Sequence, residues 1–464
     1  IWYKDHIDIG VDFDQIGYDN SFRIKSEVDF LKDQTRISIS PSKIRLLGKN
    51  WIINPANEII VRGDEFDFKN VALAFEQRSM SISGKLSQNP DEKLDIRLKD
   101  MTLDLINALI GENLNGLLNG DMEIKNLYHN ASVQSTFRID AFKVNNFLIG
   151  DITGTNNWDA DLGAFVVNFF VDRLQRRMID LTGLYTPDDP ESPLRLTANL
   201  NQAQLKIIEP IFRDIFSNWG GTASGSLDIT GTFSKPLLTG KVNINDGLVT
   251  VNFLNTSYRV NGQLESLQDR IDFINLVLKD AYSNTATLNG NLQHHDFNDF
   301  QINLKGNFKN FQTMNTTAKN NPIFYGQTYA TGTVSFSGPV NNLRISATAR
   351  TDKNTKIYIP INSTGSVERG EFIRFVNLKD SVNKEEEDVA AIRKVKSNFS
   401  VNLNLDITPD AYAEIIFDIK AGDIIRGWGR GDLKIDMDTQ GDFSMFGIYE
   451  FDRGFYNFTL GGVI

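Results

Sequence analysis

The residues that could do chemistry in this 464-residue chain are few: four histidines and no cysteine. Without cysteine there is no disulfide scaffold, no thiolate metal site and no thiol nucleophile. His294 and His295 are adjacent, so in a strand they point to opposite faces and cannot chelate one metal together. His6 and His129 stand alone in the sequence. Gly221-Thr222-Ala223-Ser224-Gly225 sets a serine among glycines, but one place late for a nucleophile elbow. Gly427-Trp428-Gly429-Arg430-Gly431 lacks the Lys-Ser/Thr that completes a phosphate-cradling loop, and its glycines read as strand bends or bulges. The pairs Asp12/Asp14 and Asp436/Asp438 each share a strand face, where they keep a surface soluble and discourage edge pairing. These patterns predict no catalytic residue, no metal and no cofactor, and the chain is expected not to be an enzyme.

The elements around these residues must therefore carry the function. Hydrophobic residues make up 41% of the chain and charged residues 23%, enough apolar content to exclude wholesale disorder. The net charge of −11 argues against nucleic acid as a partner. Length alone would suggest about three domains. No stretch approaches the roughly 18 apolar residues of a membrane span, and no signal peptide is readable. The chain opens at Ile1 and ends at Gly461-Gly462-Val463-Ile464 in strand-like sequence. It reads as the interior of a longer polypeptide whose anchor lies outside it.

Period two dominates. Phe399, Val401, Leu403, Leu405 and Ile407 alternate with polar residues, as do Ala413, Ile415, Phe417 and Ile419, and Leu433, Ile435 and Met437. Phe300, Ile302 and Leu304 repeat the pattern, with Ala286, Leu288 and Leu292, Leu194, Leu196, Ala198 and Leu200, and Ile24, Val28 and Phe30. Asn245-Asp246-Gly247, Asn289-Gly290-Asn291 and Asp452-Arg453-Gly454 read as tight turns. Short turns between strands predict antiparallel pairing of sequence neighbours. Helical patterns occur at Thr102–Gly111 and near Ala203–Asn218, the latter interrupted by Pro210. Lys379–Lys396 is a charged, solvated insertion.

The strand Gly225-Ser226-Leu227-Asp228-Ile229-Thr230-Gly231 recurs as Gly332-Thr333-Val334-Ser335-Phe336-Ser337-Gly338. Gly431-Asp432-Leu433-Lys434-Ile435-Asp436 and Gly120-Asp121-Met122-Glu123-Ile124 are further copies, each about one hundred residues from the next. The repeat divides the chain into 1–119, 120–224, 225–331, 332–430 with the insertion at 379–397, and 431–464. Some 35 strands at roughly 4.8 Å spacing would make a sheet on the order of 170 Å long, which must coil or fold over. Two architectures satisfy that pattern. Dry faces can meet in sandwiches or a solenoid with a closed core, or the sheet can curl into a gutter whose apolar floor receives something else, such as acyl chains.

The repeated Gly-x-Leu-x-Ile-x-Gly strand after a short helix resembles the AsmA-like proteins. Thr408-Pro409-Asp410-Ala411, Ala421-Gly422-Asp423-Ile424-Ile425-Arg426-Gly427, Gly441-Asp442-Phe443, and Gly447-Ile448-Tyr449 running to Arg453-Gly454-Phe455-Tyr456-Asn457-Phe458 resemble the end domain of the TamB family. Phe324-Tyr325-Gly326 to Gly338-Pro339 is similar to that family as well. The likeness runs from about Gly220 to Ile464, in a style most like Bacteroidetes-type versions, and before that is a generic β-repeat.

The resemblance implies a mostly β fold: a long continuous antiparallel sheet curled into an open apolar groove with a few short helices, similar to bridge-like lipid-transfer proteins. It implies a periplasmic protein anchored in the inner membrane by an N-terminal helix absent here and reaching the outer membrane. The implied roles are conduction of phospholipid between the membranes and, with a BamA/TamA-type outer-membrane barrel partner, assembly of outer-membrane proteins. The sequence stops before the family domain would finish, which puts partner-contact residues in doubt. Acyl chains are held by pattern, at roughly 0.8 kcal/mol per buried CH₂, with headgroups left in water. The expected lining is Leu194, Leu196, Leu227, Ile229, Leu288, Phe300, Ile302, Leu304, Val334, Phe336, Phe399, Val401, Leu403, Leu405, Ile415, Phe417, Leu433, Ile435 and Phe458. An outer-membrane barrel would show strands of about ten residues with aromatic girdles, and a polysaccharide-cleaving protein would show a framed carboxylate pair. The sequence marks neither, and a closed structural β-repeat remains the other reading.

Overall fold

The computed structural model describes residues 2–457 except 4, 16–19, 47, 105–106, 108–112, 145, 213–215, 297, 321–323, 361–397, 419–421 and 439–442. Among them are 29 strands, from two to 19 residues long. The chain forms two compact units, Ile1–Ala203 with Ser224–Gly240, and Gln204–Ala223 with Lys241–Ile464. Each is built on antiparallel pairing of consecutive strands, as the short connections require.

In the first unit, seven consecutive strands from Lys93–Thr102 to Leu194–Gln204 pair in order. Nearer the N-terminus the sheet forks. Ser21–Phe30 pairs with both Thr35–Ile39 and Lys43–Leu46, and Glu65–Phe75 rejoins the two lines.

A second fork in the other unit departs from purely antiparallel order. Asn342–Thr351 runs parallel to Asn398–Ile407, and Lys356–Pro360 runs parallel to Tyr412–Asp418. The reason is topological: Asn398–Ile407 runs the same way as Asn342–Thr351 along the same edge. Both lines break at the same level. Thr408 donates its backbone N–H to Thr351 Oγ1 at 2.9 Å and its hydroxyl to Thr351 O at 3.1 Å. Thr355, nearly inaccessible, donates to Tyr329 O and accepts from its N–H. The Thr408-Pro409-Asp410-Ala411 motif thus holds two broken strands in step.

The three Asx-Gly sites expected as hairpin turns lie instead inside strands: Pro236–Val251, Thr285–His295 and Phe443–Asn457. At Asp246 and Gly290 the same capacity for positive φ serves strands that bend and continue. One arrangement recurs through the chain. Asp100, Ala141, Gln202, Asp246, Asn275 and Asn310 have φ between +47° and +53°. Each donates its backbone N–H, at 2.7–3.1 Å, to a short side chain: Asn119, Asp151, Ser224, Asn261, Asn289 and Thr331 respectively. Register slips occur at Asp100, Ala141, Asn275 and Asn310. The orphan N–H that a bulge creates is thereby satisfied, and the strands can curl. Opposite Asn275 the partner strand has Gly262 at φ +153°, where a Cβ would lie 2.9 Å from Leu276 Cα.

The expected helix at Ala203–Asn218 is a 3-10 turn, Leu205–Ile208, and a single α turn, Glu209–Phe212, between two strands. Pro210 falls in that α turn's first positions, where proline is tolerated, and the flanking residues extend into the sheet. The expected helix at Thr102–Gly111 lies mostly outside the described residues, as does the insertion at 379–397.

Candidate functional site

The apolar face of the sheet is built by register. In the first unit, Leu98, Gly120, Phe137, Gly154, Phe169, Leu181 and Ala198 stand opposite one another across seven strands. Beside them run Leu118, Ile139, Ile152, Val171, Ile179 and Leu200. Phe137 and Phe169 meet edge-on, centroids 5.1 Å apart, over Gly154, where a Cβ would come within 2.6 Å of both rings. The reverse face is polar in the same register: Arg97, Asp121, Thr136, Thr155, Asn168, Thr182 and Thr197. Cross-strand ion pairs keep that side hydrated, among them Arg97–Asp121 at 2.6 Å and Lys93–Glu123 at 2.8 Å. Lys125 and Lys93 hold the Glu123 carboxyl below its ordinary range.

Exposure separates the two architectures that the sequence leaves open. Phe137, Ile139, Ile152, Phe169, Val171, Ile179, Leu181 and Leu200 are all half-buried. A second layer packed on this face would bury such side chains almost completely. Over these strands most of the large apolar side chains therefore form a floor that is only half covered, although Val167, Leu194 and Ala198 on the same face are buried. One polar pair interrupts it: Ser135 and Asn156 stand opposite each other, with Asn156 Nδ2 3.2 Å from Ser135 Oγ.

In the second unit the floor rows are Leu304, Phe336, Ile345, Val401 and Met437, and beside them Gly306, Val334, Ala347, Leu403, Ile435 and Met445. Leu405 and Leu433 face each other in the next row, with Ala349. Lys305, Ser335, Ser346, Asn402, Asp436 and Ser444 mark the wet side. Here the floor is partly covered. Val401, Ile435 and Met437 are buried at 7%, 5% and 9% exposure, packed by their floor neighbours Ile345, Phe399, Leu403, Leu405 and Met445 and by Phe253 and Phe324. Phe253 precedes Thr256–Ser266, which lies six strand steps, about 29 Å along a flat sheet, from the strand of Phe399. Their rings are nonetheless 4.6 Å apart. This unit's sheet curls with its apolar face inward.

Of the expected lining, Leu194, Val401 and Ile435 are buried. Leu196, Leu227, Ile229, Leu288, Phe300, Ile302, Leu304, Val334, Phe336, Phe399, Leu403, Leu405, Ile415 and Leu433 are half-buried. Phe417 is exposed, and Ile416 beside it is the buried residue, because the register slips between Ile416 and Asp418. Phe458 lies outside the described residues. Phe137, Phe169, Leu181 and Ile345 were missed, although the alternation Val133, Ser135, Phe137, Ile139 carries the signal for the first of them. Phe253 has no such signal, since it sits in the turn Asn252–Asn255. A cavity of about 630 Å³ is lined by the wet-side residues Arg350, Asp406, Asp432 and Lys434 and also by Ala349, Leu405 and Leu433 of the floor rows.

The residues considered for chemistry are dispersed. His294 is buried, which lowers its pKa, while His295 is exposed on the other face. His6 is not isolated, because strand pairing sets it opposite Asp29. Its Nδ1 lies 2.7 Å from Asp29 and its Nε2 2.8 Å from Asp8. Contact of both ring nitrogens with carboxylates favours the imidazolium, and the hydrogen bonds that it donates to Asp29 and Asp8 raise its pKa. No group of three or more metal-ligating side chains occurs among the described residues.

The family model for the TamB C-terminal domain matches residues 172–276 and 274–462, together more than half of the sequence. The chain belongs to the TamB family. The match begins some way before Gly220, so the family likeness reaches into the strands of the half-buried floor. No curated protein and no solved structure matches the chain. TamB proteins belong to the bacterial envelope and its translocation and assembly module, and act with an outer-membrane partner. Among the described residues no helix is long and apolar enough to cross a membrane.

Proposed function

We propose that this TamB-family chain conducts phospholipid between the inner and outer membranes, its acyl chains lying on the apolar floor and its headgroups in water. The single observation that supports this most is the row from Leu98 to Ala198, apolar in register over about 29 Å, its large side chains half-buried and a polar row on its reverse. Each CH₂ moved from water to such a floor gains roughly 0.8 kcal/mol, and equivalent rows make displacement from strand to strand nearly level in energy. The work needs no catalytic group, and we read the protein as a non-enzyme. Periplasmic placement, an inner-membrane anchor and a BamA/TamA-type barrel partner belong to the same reading.

The test is transfer of fluorescent phospholipid between donor and acceptor vesicles by the purified protein. The triple variant Leu227→Asp, Phe336→Asp and Leu433→Asp is expected to abolish transfer while retaining the β circular-dichroism spectrum. A folded wild-type protein that neither retains nor transfers lipid would overturn the proposal in favour of an assembly or purely structural role.

A further inference from the structure

The covered floor of the second unit differs from ordinary core in what covers it. Phe253 is carried by a four-residue turn between Pro236–Val251 and Thr256–Ser266. Its ring meets Phe399 edge-on at 4.6 Å and Phe324 at 6.2 Å, and rests on the cluster of Val401, Ile435 and Met437. The turn is fastened through its polar atoms: Asn315 N–H donates to Leu254 O at 3.0 Å, Asn255 Nδ2 to Asn315 O at 2.8 Å, and Thr256 Oγ1 to Leu254 O at 2.8 Å. None of these bonds holds the ring. The residues beneath it continue in register with Phe336, Ile345 and Leu403, the rows that form the floor.

We infer that Phe399, Val401, Ile435 and Met437 form an acyl-chain subsite that the Phe253 ring fills in cis, and that a bound lipid tail takes the place of the ring. The inference rests on the conduit reading above. Replacing one apolar occupant by another leaves the floor dry throughout, so the exchange carries little net hydrophobic cost. The fastened backbone lets the side chain move while the turn stays in place. Cargo thus enters the second unit by exchange, whereas the first unit's half-buried floor takes it directly.

A photoreactive benzophenone side chain placed at Leu403 or Leu181 reports lipid on each floor when the protein is mixed with phosphatidylethanolamine/phosphatidylglycerol vesicles. Phe253→Ala is expected to raise lipid adducts at position 403 roughly two- to ten-fold, the factor set by losing the closer of its two aromatic pairs, that with Phe399 on the floor, and to leave position 181 unchanged. Should Phe253→Ala fail to fold, the same group placed at position 253 gives an independent reading. It should cross-link to the segment 398–407 without vesicles and lose that product to a lipid adduct when they are added. Equal adducts at 403 with and without Phe253, or a 253-to-398–407 cross-link indifferent to lipid, would overturn the subsite and make Phe253 permanent core. Adducts at neither 403 nor 181 in any variant would remove the conduit reading and the subsite with it.

Discussion

The strands from Lys93 to Gln204 and the strands around Val401 share one alternating pattern, yet the large side chains of the first are mostly half-buried while a cluster in the second is buried. Phe169 and Leu181 are half-buried in their rows, while Val401 and Ile435 are at 7% and 5% exposure in theirs. The apolar rows themselves are alike in composition, so alternation specifies a dry face but not whether anything lies on it. What differs is a turn: an aromatic residue at Phe253, carried over the face by the curl of the sheet, packs on the buried cluster in one region. The functional state of such a face is written in its connections.

Substitutions should widen that contrast. The largest effect is expected from a charge on each floor: Val401→Asp should cost about 3 kcal/mol or more, because the carboxylate is buried with no partner, while Leu181→Asp should cost only about 1 kcal/mol. Urea unfolding checks both, and equal costs would mean that the two floors are equally closed. Next comes Asp280, buried, which accepts from the backbone N–H groups of Tyr282, Asn284 and Gln312 and from Asn284 Nδ2. Asp280→Ala should cost about 2–4 kcal/mol by orphaning those donors at the bend of the second unit. Asn275→Val, which forces a β-branched residue to φ +48°, should cost about 1–2 kcal/mol, and Asn275→Gly close to nothing. Thermal melting separates these, and equal losses for valine and glycine would sink the bulge account.

The smallest effect is at the first unit's opening strand. The raised pKa of His6 means that its contribution is complete below the unfolded value of 6.5 and fades as pH rises through the folded value. Asp29, lowered chiefly by the His6 hydrogen bond and then by Arg36, contributes above the unfolded value of 3.8 and loses that as pH falls through its folded one. Amide protection in His6–Asp14, taken relative to the intrinsic exchange rate at each pH, should therefore be greatest in mildly acidic solution and weaker on either side, and His6→Ala should flatten the profile on its alkaline side.

Much of the sheet was legible because period two survives every bulge on one side or the other. The runs at 194–200, 286–292, 300–304 and 399–407 all lie in strands. The turns misread as hairpins show the limit: Asp246-Gly247 and Gly290 have the chemistry of a reversal and are used to bend a strand that continues. Positive φ is a local demand, and only the neighbouring strand's capping side chain, Asn261 for Asp246, decides which use it serves. Phe417 was assigned by extending the alternation through a register slip that sequence does not display. The parallel pairs were likewise invisible, since they join strands distant in sequence whose relative direction alternation does not encode.

The central claim is that lipid lies on one face of the sheet, and its most direct test is the periodicity of contact. Benzophenone side chains placed singly at Asn168, Phe169, Phe170, Asp180, Leu181 and Thr182 should give phospholipid adducts at 169 and 181 and none at 168, 170, 180 or 182. Adducts at both parities, or at none in a folded protein that has met vesicles, would contradict the account.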